Sequence, residues 1–216
     1  MGIERETVAT SVGGKLEWLR DSAMAHPDGA ADSAWAWIKD LSNKAKSDPK
    51  GADADLNELF HMGTPPTTEL DGPTDGILVT VTPSQLGDTV ARTFFALHAP
   101  WKGKVFYPKT STGINLMTTP FSLVAKLPWP LYSMKDRPGG KLAFDFKTFV
   151  EPGVEDTDID VFVIDYKDVA SNPKLLVRSV RDELVELVPG VFLGKIMVKT
   201  KSGYTKLGFF ALRNPR

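Results

Sequence analysis

The chain has 216 residues, 42% of them hydrophobic and 25% charged, with a formal net charge of −1 and no cysteine. That length can bury a substantial core as one large or two small domains. The charge balance gives nucleic acid and anionic membranes no general attraction. The missing cysteines exclude disulfides, thiolate nucleophiles and cysteine-held metals.

From Met1 to Leu19 charged and small residues alternate, with no apolar run of signal-peptide length. No stretch reaches the roughly 18 apolar residues a membrane span needs, so no transmembrane segment is expected and the expected compartment is the cytoplasm. Gly2 follows Met1, but Glu6 stands where a myristoylation signal wants Ser or Thr.

The first 63 residues read as helix. Leu16, Leu19 and Ala23 fall at helical spacing, and His26-Pro27-Asp28-Gly29 reads as a break. A second helix is expected from an N-cap at Asp32 or Ser33 to about Lys46, with Trp37, Ile38 and Leu41 as its apolar stripe. Pro49-Lys50-Gly51 breaks it. A third, about Ala54 to His61, presents Leu56, Leu59 and Phe60, with Gly63 at its end.

From Asp71-Gly72-Pro73 onward the pattern changes to short runs of β-branched and aromatic residues between Gly, Pro and Asp. Strands are expected near 76–82, 104–108, 113–118, 141–150, 158–166, 176–187, 191–200 and 204–213. The tight breaks at Pro189-Gly190 and Lys201-Ser202-Gly203 make the last three strands consecutive hairpins. Ser84 to Ala99 reads as a helix. Phe121 to Pro138 reads as an apolar, proline-broken excursion around Trp129. The sequence therefore predicts a mainly β fold with N-terminal helices: a small antiparallel up-and-down β-barrel over 71–216, with the helical segment 1–70 docked on it. A β-sandwich is the alternative.

From Lys174 onward nine basic residues face three acidic ones, leaving +6 there and −7 in the remainder. This asymmetry fits either attraction between the two parts or an anionic ligand site. The histidines, His26, His61 and His98, have no partner at metal-ligand spacing, so no metal or cofactor is expected. P-loop, dinucleotide-fold and nucleophile-elbow motifs are absent.

Strand periodicity in 177–187 places Val177, Ser179, Arg181, Glu183, Val185 and Leu187 on one face. Turned inward, that face is an apolar wall with a single polar anchor, in which Arg181 grips a carboxylate and Glu183 holds its fork. Turned outward, it is a surface ion pair. Leu142, Phe144 and Phe146 share a face opposite Asp145 and Lys147. Asp158 and Asp160 share one with Phe162, Ile164 and Tyr166. The candidate ligand-binding set is Arg181, Glu183, Tyr204, Lys195 and Trp129, and no catalytic residue is assigned.

Leu70-Asp71-Gly72-Pro73-Thr74-Asp75-Gly76 and Trp101-Lys102-Gly103-Lys104-Val105-Phe106 resemble segments of bacterial lipocalin-like proteins of the GXWXG type. Arg181 to Leu184 and Pro189 to Lys195 resemble further stretches of such proteins. The resemblance implies a calycin-type barrel and a hydrophobic ligand; it implies no reaction.

Three readings follow. The first is a binding protein for a lipid-like or aromatic carboxylate held in the barrel. The second is a barrel enzyme, a cyclase, isomerase or dehydratase, marked by a buried ionisable pair beside the cavity. The third is a barrel packed solid, with no cavity above roughly 300 Å³.

Overall fold

Three helices open the structure, a computed structural model that describes residues 11–81, 101–126 and 128–215. Helix α1 (Val12–Ala25) starts at Ser11, whose side chain accepts a hydrogen bond from the Gly14 N–H. Helix α2 spans Pro27–Ser47 and α3 spans Pro49–His61. The breaks between them are shorter than the sequence suggests. Pro27 and Pro49 each occupy the first helical turn, where a missing N–H costs nothing, so they start helices rather than end them. Asp48 caps α3 by accepting from the Gly51 N–H at 2.9 Å.

The remainder is one antiparallel sheet, nearly closed into a barrel. Its strands are β1 (Gly72–Pro73), β2 (Asp75–Val81), β3 (Trp101–Tyr107), β4 (Thr112–Met117), β5 (Lys135–Arg137), β6 (Gly140–Pro152), β7 (Asp160–Asp165), β8 (Val180–Val188), β9 (Val191–Thr200) and β10 (Gly203–Arg213). The spatial order β1-β3-β4-β6-β7-β8-β9-β10-β2 is an up-and-down meander, with β5 paired onto β6. Closure comes from one continuous segment. Its first part pairs Gly72 with Phe106 on β3, and its second pairs Gly76 with Leu212 on β10. A barrel closed this way leaves little free edge, and the sandwich alternative falls.

Two boundaries depart from the sequence reading. Residues Val177–Ser179 form a 3₁₀ turn, entered through Leu176 at φ +67, so β8 begins only at Val180. Strand β5 has no counterpart among the expected strands. The helix read at Ser84 to Ala99 lies outside the described residues. Within the excursion, Phe121–Val124 forms a short helix, α4.

The alternation of the strands sorts two apolar clusters. One fills the barrel with Phe106, Phe146, Ile164, Leu184, Phe192 and Phe210 among others. The other joins Leu16, Leu19, Ile38, Leu56 and Phe60 of the helices to Val163, Val185, Leu187, Leu193 and Phe209 on the outer wall. Arg20 fastens this layer by donating to the carbonyls of Leu187 and Met62 at 2.9 and 2.8 Å. Among the described residues, no helix is long and apolar enough to cross a membrane.

Candidate functional site

Inside the barrel, four polar side chains meet in an otherwise apolar lumen. Lys104 comes from β3, Asn115 from β4, Tyr166 from the residue after β7, and Asp182 from β8; each is 6% exposed or less. Strands β3 and β8 are not neighbours in the sheet, so the Lys104–Asp182 ion pair, 2.8 Å long, crosses the lumen. The Lys104 ammonium also donates to Tyr166 Oη at 2.5 Å and to Asn115 Oδ1 at 3.0 Å, which uses all three of its hydrogens. Tyr166 in turn donates to Asp182 Oδ2 at 3.0 Å.

The backbone around these groups is irregular where they need it. At Gly103 (φ +146) the β3–β4 register shifts, and a Cβ there would stand 2.1 Å from the Thr74 carbonyl oxygen. That close approach lets Thr74 clamp the next residue. Its N–H and hydroxyl both donate to the Lys104 carbonyl, at 2.8 and 2.9 Å. A second irregularity lies between β4 and β6, where Ile114 pairs with Asp145 and Asn115 with Ala143. Phe144 is left unpaired at φ +59. Its freed N–H donates to Tyr132 Oη at 2.5 Å, and its freed carbonyl accepts from Asn115 Nδ2 at 3.2 Å. The second bond orients the Asn115 amide. Its oxygen then faces Lys104 and the Trp101 indole N–H, 3.1 Å away.

Electrostatics at the site follow from burial. Loss of solvent drives the Lys104 ammonium pKa below its ordinary value, against the pull of Asp182. Burial, and then the charge of Asp182, hold the Tyr166 phenol well above its ordinary range. The rings of Phe210, Phe146, Tyr166 and Trp101 surround the ammonium with centroids 5.2 to 5.6 Å away, an aromatic box suited to a cation.

Beside this cluster lies a cavity of about 70 Å³, walled by Met117, Leu176, Val180, Ile196 and Phe210. That volume is below the roughly 300 Å³ that marks a packed barrel. Phe144 closes one side. Its ring stacks on Tyr132 at 5.1 Å and meets Trp129 and Phe121 edge-on. Outside that plug, an open groove of about 860 Å³ runs between Trp129–Lys135 and Val169–Leu175.

None of the five residues singled out from sequence lines the cavity. Arg181 and Glu183 share the strand face of Val185 and Leu187, which is the outer wall, so the pair is not an anchor in the lumen. It is not a surface pair either, because both side chains are buried beneath the layer that covers that wall. There Arg181 Nε bonds Glu183 at 2.8 Å and its Nη1 pairs with Glu151, while the Val154 N–H donates to Glu183. Lys195 lies on the same outer wall, its ammonium 2.5 Å from Asp156 and over the Phe60 ring. The exposed Tyr204 has its ring 6.0 Å from the Arg181 guanidinium. These four therefore gather around the β6–β7 connection, outside the barrel. Trp129 alone joins the interior cluster, in its plug, donating to the Leu175 carbonyl.

Asp145 pairs with Lys135 at the surface, and His61 faces Asp156 and Asp158 at 3.4 and 3.3 Å. Among the described residues no group of side chains is arranged to hold a metal; His98 lies outside them. Sequence reasoning missed Lys104, Asn115, Tyr166 and Asp182. Alternation puts Lys104 on a face with Phe106 and Asp182 on a face with Leu184, but it does not say which face of a strand turns inward.

No protein-family model and no curated protein matches the chain. Among solved structures it is similar to a protein from Thermomonospora curvata, at 14% identity and a TM-score of 0.45, over 82% of this chain and 99% of that one.

Proposed function

We propose that the barrel holds a small, neutral amphipathic molecule, its polar head at the Lys104 cluster and its body against the apolar wall. The observation that supports this most is a lysine stripped of solvent and held by three partners at the edge of an apolar cavity. A cavity that takes benzene measures about 150 Å³, so 70 Å³ suits a ligand of only a few heavy atoms. A long-chain lipid fits only after the Phe144 plug moves. Because Asp182 already neutralises Lys104, a carboxylate head would bring in an uncompensated charge, whereas a carbonyl or hydroxyl would not. A barrel enzyme is the second reading, favoured by the opposed shifts of Lys104 and Tyr166 at one cavity.

The test compares acetone, 2-propanol and acetate, matched at four heavy atoms, with hexadecanoate. Ligand efficiency caps such ligands at about −1.5 kcal/mol per heavy atom. Titrations therefore run to high concentration, read by NMR at the Trp101 indole N–H. The expected result is a saturable shift with acetone and 2-propanol, none with acetate, and loss of the shift in the cavity-filling variant Ile196→Phe. Saturation by hexadecanoate alone would replace this reading with a lipid carrier. Silence from all four would leave the barrel packed solid.

A further inference from the structure

We propose that Lys104 is a nucleophile that condenses with small ketones or aldehydes to form an imine inside the barrel. This rests on the small-molecule chamber proposed above and names the chemistry of its ligand.

Five features of the site suit that reaction. The amine borders the cavity, so a carbonyl carbon seated there lies beside Nζ. Asp182 Oδ2, 2.8 Å away, can take one ammonium proton and free the nitrogen lone pair. Tyr166 Oη touches both Nζ and Asp182 Oδ2, at 2.5 and 3.0 Å, and so can pass protons between the carboxyl and an oxygen attached to the reacting carbon. The aromatic box that surrounds the ammonium would also face the positive charge of a protonated imine at the same nitrogen. Burial, which lowers the ammonium pKa, favours the free amine on which attack depends.

The step balances without a co-reactant. Lys104 passes one proton to Asp182 and attacks the carbonyl carbon through Nζ, forming a C–N bond while the C=O π pair moves to oxygen. That oxygen takes the proton that the new C–N nitrogen gives up, leaving a neutral carbinolamine. The Asp182 carboxyl then returns its proton through Tyr166 to the hydroxyl, the C–O bond breaks, and water leaves. The products are a protonated imine on Lys104, an ionised Asp182 and one water. Charge at the site is unchanged, so the apolar wall never confronts an unpaired ion.

Acetone is the probe. The full-length protein is incubated with acetone, reduced with borohydride, and digested for peptide mass mapping. In parallel, loss of ¹⁸O from labelled acetone to water reports reversible condensation even where the reductant cannot enter. Imine formation predicts an increase equal to the mass of acetone less its oxygen, concentrated on the peptide bearing Lys104 rather than spread over the eighteen lysines. It also predicts catalysed oxygen exchange that Lys104→Arg, which keeps the charge, abolishes. A Trp101 shift on adding acetone with neither adduct nor exchange overturns the imine and leaves the chamber standing. No shift, adduct or exchange overturns both. Modification that follows surface exposure, with Lys104 spared, also overturns the imine.

Discussion

Lys104 is the residue on which the interior depends. Removing one partner of a buried pair strands the other, so Lys104→Ala should destabilise the fold by about 3–5 kcal/mol, with Asp182 left uncompensated at 5% exposure. Replacing both by apolar groups removes the stranded charge. The double variant Lys104→Met/Asp182→Leu should therefore recover most of that loss, within about 1–2 kcal/mol of the parent or better. Denaturant melts of the parent and both variants measure this. If the single variant proves as stable as the parent, the pair is not buried as described. A double variant that stays folded also separates function from stability, because it keeps the barrel and lacks the amine. Asp182 illustrates how sequence reading falls short at this scale. The segment Arg181-Asp182-Glu183 offers a charged residue to both strand faces, and periodicity alone does not say which face turns inward. Only the helices settle it, by covering the face of Val185 and Leu187.

At the scale of elements, much is legible in the sequence. The hairpins around Pro189-Gly190 and Lys201-Ser202-Gly203 follow from turn chemistry, and strands β6, β9 and β10 from alternation. What alternation misses is its own interruption. The bulge at Phe144 changes which neighbours point inward, so Ala143, Phe144 and Phe146 all enter the barrel. The single event that positions Asn115 thus has no counterpart in a period-two pattern. Tyr132 supports that bulge by accepting the freed Phe144 N–H, and Tyr132→Phe should cost about 1–3 kcal/mol. Its pH dependence is specific. Burial pushes the Tyr132 phenol up to about 12. In the unfolded chain it ionises near 10. A raised folded value means the unfolded state loses its proton first. The Tyr132 contribution is therefore complete below that ordinary value and disappears as pH rises through about 12. The stability gap between parent and Tyr132→Phe should shrink across that window. A gap that widens with pH would show that Tyr132 ionises more easily in the folded state.

For the whole molecule, the arrangement of helices and barrel decides which side of the wall becomes chemistry. The charge asymmetry fits attraction between the two parts or an anionic ligand, and four of the C-terminal basic residues, Arg181 among them, meet acidic partners on the outer wall. Lys195 meets Asp156, Lys206 meets Asp53 of α3, and Arg213 meets Asp75. Arg181 and Glu183 become structural by the same logic. The helical layer covers an apolar outer surface that includes Val163, Val185, Leu193 and Phe209, so the barrel is apolar on both faces over this region. Burying each such side chain is worth about 1.5–3 kcal/mol. Deleting residues 1–51 removes α1, α2 and the Arg20 hydrogen bonds to Leu187 and Met62. The shortened protein should bind ANS, self-associate, and melt at a lower temperature than the parent. The Trp101 indole resonance is the decisive readout, because Trp101 reports on the lumen, whereas α1 and α2 pack on the outer wall. If the truncated protein stays monomeric and equally stable, the helices are an appendage. If it loses stability while its Trp101 signal still responds to acetone, the layer is a support for a chamber that the strands form by themselves.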